Sequence, residues 1–252
     1  MNLTGNTIFI TGGGSGIGRG LAEALHAKGN QVIISGRRKA ALDEVVGANP
    51  GMDSIELDVE DPKSVAAVAA TLITKYPRLN VLINNAGIMK SDDPGAAVDD
   101  ALLVSTVTTN LLGPVRLTSA LIEQLKSQES AAVAYVTSGL AFTPLARSAV
   151  YSATKAAVHS YILSQRYVLK GTSVRVLEIP PPYVQTELTG PGQALDPRAM
   201  PLKEYIDETM AVLGTDAVEV AVQRVGMLRN NPGPNEGEFV EKFNDMMVPR
   251  TT

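Results

Sequence analysis

The sequence predicts an α/β fold, a doubly wound parallel sheet with helices on both faces, and three observations carry that prediction. Short β-branched apolar runs alternate with longer helix-period stretches along the chain. The runs are apolar at consecutive positions, as strands buried on both faces require. The first run leads through a glycine-rich turn into a helical pattern, IFITGGGSGIGRGL at 8–21. With 252 residues, 44% of them apolar, the chain can fill one sizeable core, and no repeat, low-complexity segment or linker divides it. A single domain over 1–252 is expected.

In chain order the expected strands are 8–10, 32–34, 55–57, 81–83, 133–136, 174–179 and a weaker seventh at 239–240. Helical patterns lie between them at about 40–46, 62–76, 99–126, 151–170 and 215–229, besides the one that opens at Ile17. In such a sheet ligands collect beyond the carboxyl ends of the strands, so the residues just after each run are the ones to read. After the first run stand Gly12, Gly14, Ser15, Gly16, Ile17 and Gly18. Glycines let an anion approach the backbone with no Cβ in the way, and the helix start adds unpaired N–H groups and roughly half a unit of positive charge. The spacing of Gly12, Gly16 and Gly18 is G-x-x-x-G-x-G, not the commoner G-x-G-x-x-G.

After the second run come Gly36, Arg37 and Arg38. An acid here would hold adenosine ribose hydroxyls, whereas a cation would meet a 2′-phosphate; a solvated basic turn would read the same way. Asp58 and Val59 follow the third run, and Asn84, Asn85, Ala86 and Gly87 close the fourth; taken alone, each is also ordinary turn chemistry. The stretch 180–201 holds six prolines and reads as a surface excursion, with a substrate-binding role expected at about 183–210.

The exclusions are equally informative. A net charge of -4 with scattered cations offers no field for nucleic acid. Without cysteine, and with His26 and His159 as the only histidines, no metal site and no Ser-His-Asp triad is expected. No basic leader precedes the first strand and no apolar run reaches membrane-spanning length, so a cytoplasmic protein with no membrane partner is expected.

Ser138 follows the fifth run, and Tyr151 and Lys155 open the next helix one turn apart on one face. A free phenol titrates near about 10, and bringing it to about 7 takes roughly 4 kcal/mol. An ammonium about 4 Å away supplies that much at an effective dielectric near 20, but only about 1 kcal/mol in water. The pair therefore needs a partly dry cleft.

The ordered set of TGGGSGIG at 11–18, LDV at 57–59, NNAG at 84–87, the N-L-L-G segment from Asn110, Ser138 and YSATK at 151–155 resembles the short-chain dehydrogenase/reductase (SDR) family over nearly the whole chain. The resemblance implies a Rossmann-type, mainly parallel seven-stranded sheet that binds a nicotinamide dinucleotide. It implies Tyr151 as general acid/base, Ser138 on the substrate carbonyl, and Lys155 on the nicotinamide ribose, lowering the Tyr151 pKa. Asn110 would bind a water of the proton path, Asp58 and Val59 would contact the adenine, and Asn84, Ala86 and Gly87 would line the adenosine side.

Where the family has P-G-x-V-x-T, this chain has Pro181-Pro182-Tyr183-Val184-Gln185-Thr186; Val184 and Thr186 keep their places at the carboxamide, while Pro182 stiffens the approach. The family's glycine-rich ending is absent. Gly36 stands where NAD-preferring members carry an aspartate, so NADP(H) is expected over NAD(H). The expected reaction is hydride transfer between NADP(H) and a small carbonyl or secondary alcohol, in a homodimer or homotetramer. The rivals are a non-catalytic dinucleotide-binding redox sensor and an epimerase or dehydratase, the latter usually built on a longer chain. His159 is expected to be a packed or interface histidine.

Overall fold

A computed structural model of the protein describes residues 1–247. Six parallel strands, β1 (Thr7–Thr11), β2 (Gln31–Gly36), β3 (Asp53–Glu56), β4 (Leu79–Asn84), β5 (Ala131–Val136) and β6 (Val174–Ile179), form one sheet in the order β3-β2-β1-β4-β5-β6. The order runs outward from β1 in both directions, which opens a crevice beyond the carboxyl ends of β1 and β4. The connecting helices are α1 (Gly16–His26), α2 (Lys39–Ala48), α3 (Pro62–Lys75), α4 (Asp100–Val107), α5 (Gly113–Lys126) and α6 (Ala149–Val168). After β6 come the one-turn α7 (Pro191–Ala194), α8 (Leu202–Leu213), the one-turn α9 (Gly226–Arg229) and α10 (Glu236–Met247).

The pleat of β1 explains the two helical layers. Ile8 and Ile10 enter one apolar layer with Leu21 of α1, Leu42 of α2 and Tyr205 of α8. Phe9 points the other way, into a layer with Leu72 of α3, Leu117 of α5 and Ile162 of α6. Every one of these side chains is buried, and each aliphatic one contributes roughly 1.5 to 3 kcal/mol.

The seventh strand expected at 239–240 is helical and belongs to α10, leaving six strands among the described residues. Phe239, Val240, Phe243 and Met247 recur at helical spacing, Glu236 and Glu238 favour a helix N-terminus, and Lys242 pairs with Glu238 one turn back. The edge of β6 is covered instead by a single parallel bridge at Glu219. There Glu178 N–H donates to the Val218 carbonyl at 2.9 Å, and Val220 N–H donates to the Glu178 carbonyl at 2.7 Å.

That bridge takes the first half of 215–229, so the single helix expected there shrinks to α9 and a preceding 3₁₀ turn. Val218, Val220 and Val222 are β-branched at every second position, a strand-like pattern, and Val220 and Val222 are buried. The helix that covers this face is α8, which occupies the end of the 183–210 stretch and buries Tyr205, Ile206, Met210 and Leu213.

The helix expected over 99–126 divides into α4, a π turn at Thr108–Leu112, and α5. Pro114 has no N–H for the carbonyl of Asn110 four residues back, and Gly113 N–H reaches the Thr108 carbonyl in an i to i+5 bond. Such π turns concentrate at functional sites, and this one carries Asn110. Among the described residues no helix is long and apolar enough to cross a membrane, and no cluster of potential metal ligands occurs.

Candidate active site

The turn from β1 to α1 lies at the crevice. Gly12 and Gly16 have φ of +68° and +54°, the left-handed region that side chains disfavour. Gly18 is required by close approach, because a Cβ there would stand 2.2 Å from the Gly12 carbonyl oxygen. Ser15 is the N-cap of α1 but makes no side-chain capping bond, so its hydroxyl does not claim the first N–H groups, those of Gly16, Ile17 and Gly18. A glycine cradle at an uncapped helix start fits the diphosphate of a dinucleotide.

Asn85, which the sequence reading did not single out as a site residue, locks this turn. Its Nδ2 donates to the carbonyls of Thr11 (2.9 Å) and Gly12 (3.2 Å), while Thr11 Oγ1 accepts from the N–H groups of Asn85 and Ala86, both at 3.0 Å. The Asn84 side chain points to the opposite face, where its buried Nδ2 donates to Thr118 Oγ1 at 2.9 Å. Its side chain is therefore directed away from the crevice, because successive strand residues alternate in direction. Ala86 and Gly87 stay at the crevice. A Cβ on Gly87 would lie 3.3 Å from Asn110 Oδ1 and 3.6 Å from Lys155 Nζ.

The two arginines are differently engaged. Arg37 is exposed and pairs loosely with Glu60 at 3.4 Å, whereas Arg38 reaches back over the turn to within 3.4 Å of Ser15 Oγ. At Gly36 a Cβ would meet only Leu42, at an ordinary 3.7 Å. Asp58 closes its own turn by accepting from Glu60 N–H at 3.0 Å, and Val59 packs beneath Gly113.

The catalytic candidates converge at the end of β5. Tyr151 and Lys155, on the first two turns of α6, are 6% and 5% exposed. Lys155 Nζ donates to the Val136 carbonyl at 2.8 Å and lies 5.5 Å from the centre of the Tyr151 ring. Ser138, buried just beyond β5, accepts from Leu140 N–H at 3.1 Å and partly counters the effect of burial on the Tyr151 phenol. Asn110 clamps Ile88, accepting from its N–H and donating to its carbonyl, both at 2.9 Å, and donates to Thr154 Oγ1 at 3.2 Å. It thereby ties the loop after β4 to α6.

Burial dominates the protonation of this group. It pushes the Tyr151 phenol up to about 12, only partly offset by Ser138, and holds the Lys155 amine down to about 8. Both groups are desolvated, which raises the phenol and lowers the amine, and the Lys155 ammonium donates to the Val136 carbonyl. At neutral pH the site holds a protonated phenol beside an ammonium.

Val184 is buried, and the Thr186 methyl stands 3.4 Å from the Cβ position of Gly16, against the cradle. His159 lies outside the group: its Nδ1 is 2.8 Å from the buried Glu178 carboxylate, and its ring packs edge-on to Phe142.

The family profile described as short chain dehydrogenase matches residues 6–194. The uncharacterized oxidoreductase DltE of Bacillus subtilis (strain 168) is 38% identical over 248 residues, covering 97% of this chain and 98% of that one. A short chain dehydrogenase from Burkholderia cenocepacia J2315, solved with NADP, superposes with a TM-score of 0.78 at 27% identity over 97% of this chain and 95% of that one. A 3-ketoacyl-(acyl-carrier-protein) reductase from Brucella melitensis, solved with NADH, gives a TM-score of 0.79 at 26% identity over 89% of this chain and all (100%) of that one. With the glycine cradle, the Rossmann-like sheet and these similarities together, the chain belongs to the short-chain dehydrogenase/reductase family of oxidoreductases.

Proposed function

We propose that the protein transfers a hydride between NADP(H) and a carbonyl or secondary alcohol, with Tyr151 as general acid/base. The observation that carries this reading is the buried, neutral Tyr151 phenol, grouped with Ser138 and Lys155 at the same crevice as the glycine cradle. NADPH, when bound, supplies the hydride. The phenol O–H gives its proton to the carbonyl oxygen, which the Ser138 hydroxyl holds in place. Lys155 stabilises the phenolate that forms, and the clamp of Asn110 on Ile88 and Thr154 keeps α6 against the crevice. A phenol neutral at pH 7 is in the form that donates the proton when a carbonyl is reduced.

The NADP bound to the Burkholderia relative and the NADH bound to the Brucella relative leave both cofactors open to the family. NADP(H) is favoured in this chain by Gly36, which places no carboxylate against a 2′-phosphate, and by the Arg38 guanidinium above Ser15. The substrate body is apolar. This is supported by Met89, Leu140, Phe239 and Met247, which pack partly exposed around buried Leu145, Leu228 and Phe243 where α10 meets the loops after β4 and β5. We further propose a cytoplasmic homodimer or homotetramer.

The test is NADPH consumption across a panel of ketones, aldehydes, quinones, sugars and 3-ketoacyl thioesters. Wild type should turn over at least one class, and Tyr151→Phe should lose about 10² to 10⁴ in rate while still binding NADPH. A Phe variant with near-wild-type kcat would remove Tyr151 from the mechanism.

A further inference from the structure

Gln193 is a buried glutamine in the irregular segment after β6, and its amide is spent entirely on that segment. Its Nε2 donates to the Val184 carbonyl at 2.7 Å and to Thr186 Oγ1 at 3.1 Å. Its Oε1 accepts from Thr189 N–H at 3.0 Å and from Thr189 Oγ1 at 2.8 Å. A side-chain amide offers two donors and two acceptor positions, so nothing is left over. The partners also fix which way the amide faces, since a flipped amide would set its NH₂ against the Thr189 N–H and its oxygen against the Val184 carbonyl.

The arc that Gln193 holds rests on the cradle. Thr186 Cγ2 stands 3.4 Å from the Cβ position of Gly16, the first residue of α1. Thr186 Oγ1 accepts from Gln193 and, more weakly at 3.4 Å, from Leu188 N–H. A hydroxyl that accepts twice keeps its own hydrogen to donate, so Thr186 is primed as a donor beside an anion site. The base of the arc is fixed separately: Gln185 N–H donates to the Met200 carbonyl and Met200 N–H to the Tyr183 carbonyl, both at 2.8 Å. Between that anchor and α7, the tie from the far side of the arc back to Val184 and Thr186 is Gln193.

We propose that Gln193 is a positioning residue, a latch that pre-forms residues 184–189 over the cradle and holds Thr186 as a donor to the part of the cofactor beyond its adenosine. This rests on the dinucleotide reading of the site. An arc closed in advance spares the ligand the cost of ordering it, so the latch acts on affinity for the whole cofactor and not on its adenosine end.

The experiment is calorimetric titration of wild type, Gln193→Ala and Gln193→Glu with NADPH and with adenosine 2′,5′-bisphosphate, which lacks the nicotinamide half. Gln193→Ala should weaken NADPH about tenfold, the effect of roughly one lost net hydrogen bond, and leave the bisphosphate within about twofold. Gln193→Glu keeps the acceptor for Thr189 but sets an oxygen against the Val184 carbonyl, so it should be no better than alanine. Thr186→Val, which keeps the shape and removes the hydroxyl, should reproduce the selective loss and serves if the Gln193 variants fold poorly. Equal weakening of both ligands would reduce Gln193 to a structural residue and overturn the latch, as would no weakening of either. If wild type binds neither ligand, the dinucleotide reading itself falls, an outcome distinct from failure of the latch.

Discussion

Lys155 Nζ lies 5.5 Å from the centre of the Tyr151 ring, and its hydrogen bond goes to the Val136 carbonyl at 2.8 Å. The Lys155 ammonium is therefore held by the backbone end of β5, the strand that leads to Ser138. The bond satisfies a dry ammonium, and its burial has a measurable thermodynamic consequence.

Lys155→Met should stabilise the protein at neutral pH. Burial holds the Lys155 amine at about 8 against 10.5 for the free group, so between those values the unfolded chain binds more protons than the folded one. Wild-type stability then rises with pH across that window, and below it the penalty stands in full at about 3 kcal/mol. Leaving the Val136 carbonyl without its donor offsets about 1 kcal/mol of the gain. Urea melts should show the Met variant more stable at pH 7, the difference closing by pH 10, with activity lost. A variant less stable at pH 7, or a difference independent of pH, would contradict this. Above pH 10 Tyr151 acts with the opposite sign, because its folded-state value of about 12 lets only the unfolded phenol ionise.

Cofactor choice should respond to Gly36 and the following arginines. A side chain at position 36 meets only an ordinary contact with Leu42, so Gly36→Asp can be made without disturbing β2. Arg37 is partly answered by Glu60, which leaves Arg38 as the stronger phosphate partner. A charged hydrogen bond contributes about 1.5 to 3 kcal/mol, so wild type should favour NADPH by roughly 10² in kcat/KM. Gly36→Asp with Arg38→Ala should erase or reverse that ratio, and with Arg37→Ala should move it less. A wild type that prefers NADH would sink the assignment.

Substrate length should be read by the apolar box beneath α10. Asn244 pins that helix to the loop after Ser138, accepting from Ala146 N–H at 2.5 Å and donating to the Pro144 carbonyl at 3.0 Å. Phe239→Ala with Met89→Ala should cut kcat/KM for long-chain or aromatic ketones about tenfold, at roughly 0.8 kcal/mol per methylene left uncovered. The smallest ketones should be little affected. An equal loss for small and large substrates would place the box outside the substrate path.

Assembly should involve the α4 and α6 faces. Leu103 and Val104 of α4, Leu112 of the π turn and Leu163 of α6 are all exposed, at 39%, 55%, 37% and 50%. The elements that carry them pack against one another, and exposed apolar residues gathered on neighbouring elements favour a partner. Light scattering at micromolar concentration should give a dimer or tetramer, and Val104→Glu with Leu163→Glu should give monomers. A monodisperse wild-type monomer would refute it.

Periodicity and local chemistry marked the six runs that became the strands of the sheet and the glycine turn after the first, because apolar spacing and glycine content are properties of neighbouring residues, while Ser138, Tyr151 and Lys155 were singled out as a set by the family resemblance. The tertiary structure decided what depends on distant atoms. Phe239-Val240 is too short a run to distinguish strand from helix, and packing against Leu145 and Leu228 settled it. Helix α8 is defined by its burial against α1 and the sheet, which a proline-rich approach concealed. Of Asn84 and Asn85, the one that serves the cradle is set by the register of β4 against β1. The protonation of Tyr151 and Lys155 is set by how much water the elements around them exclude, a quantity that no local spacing encodes.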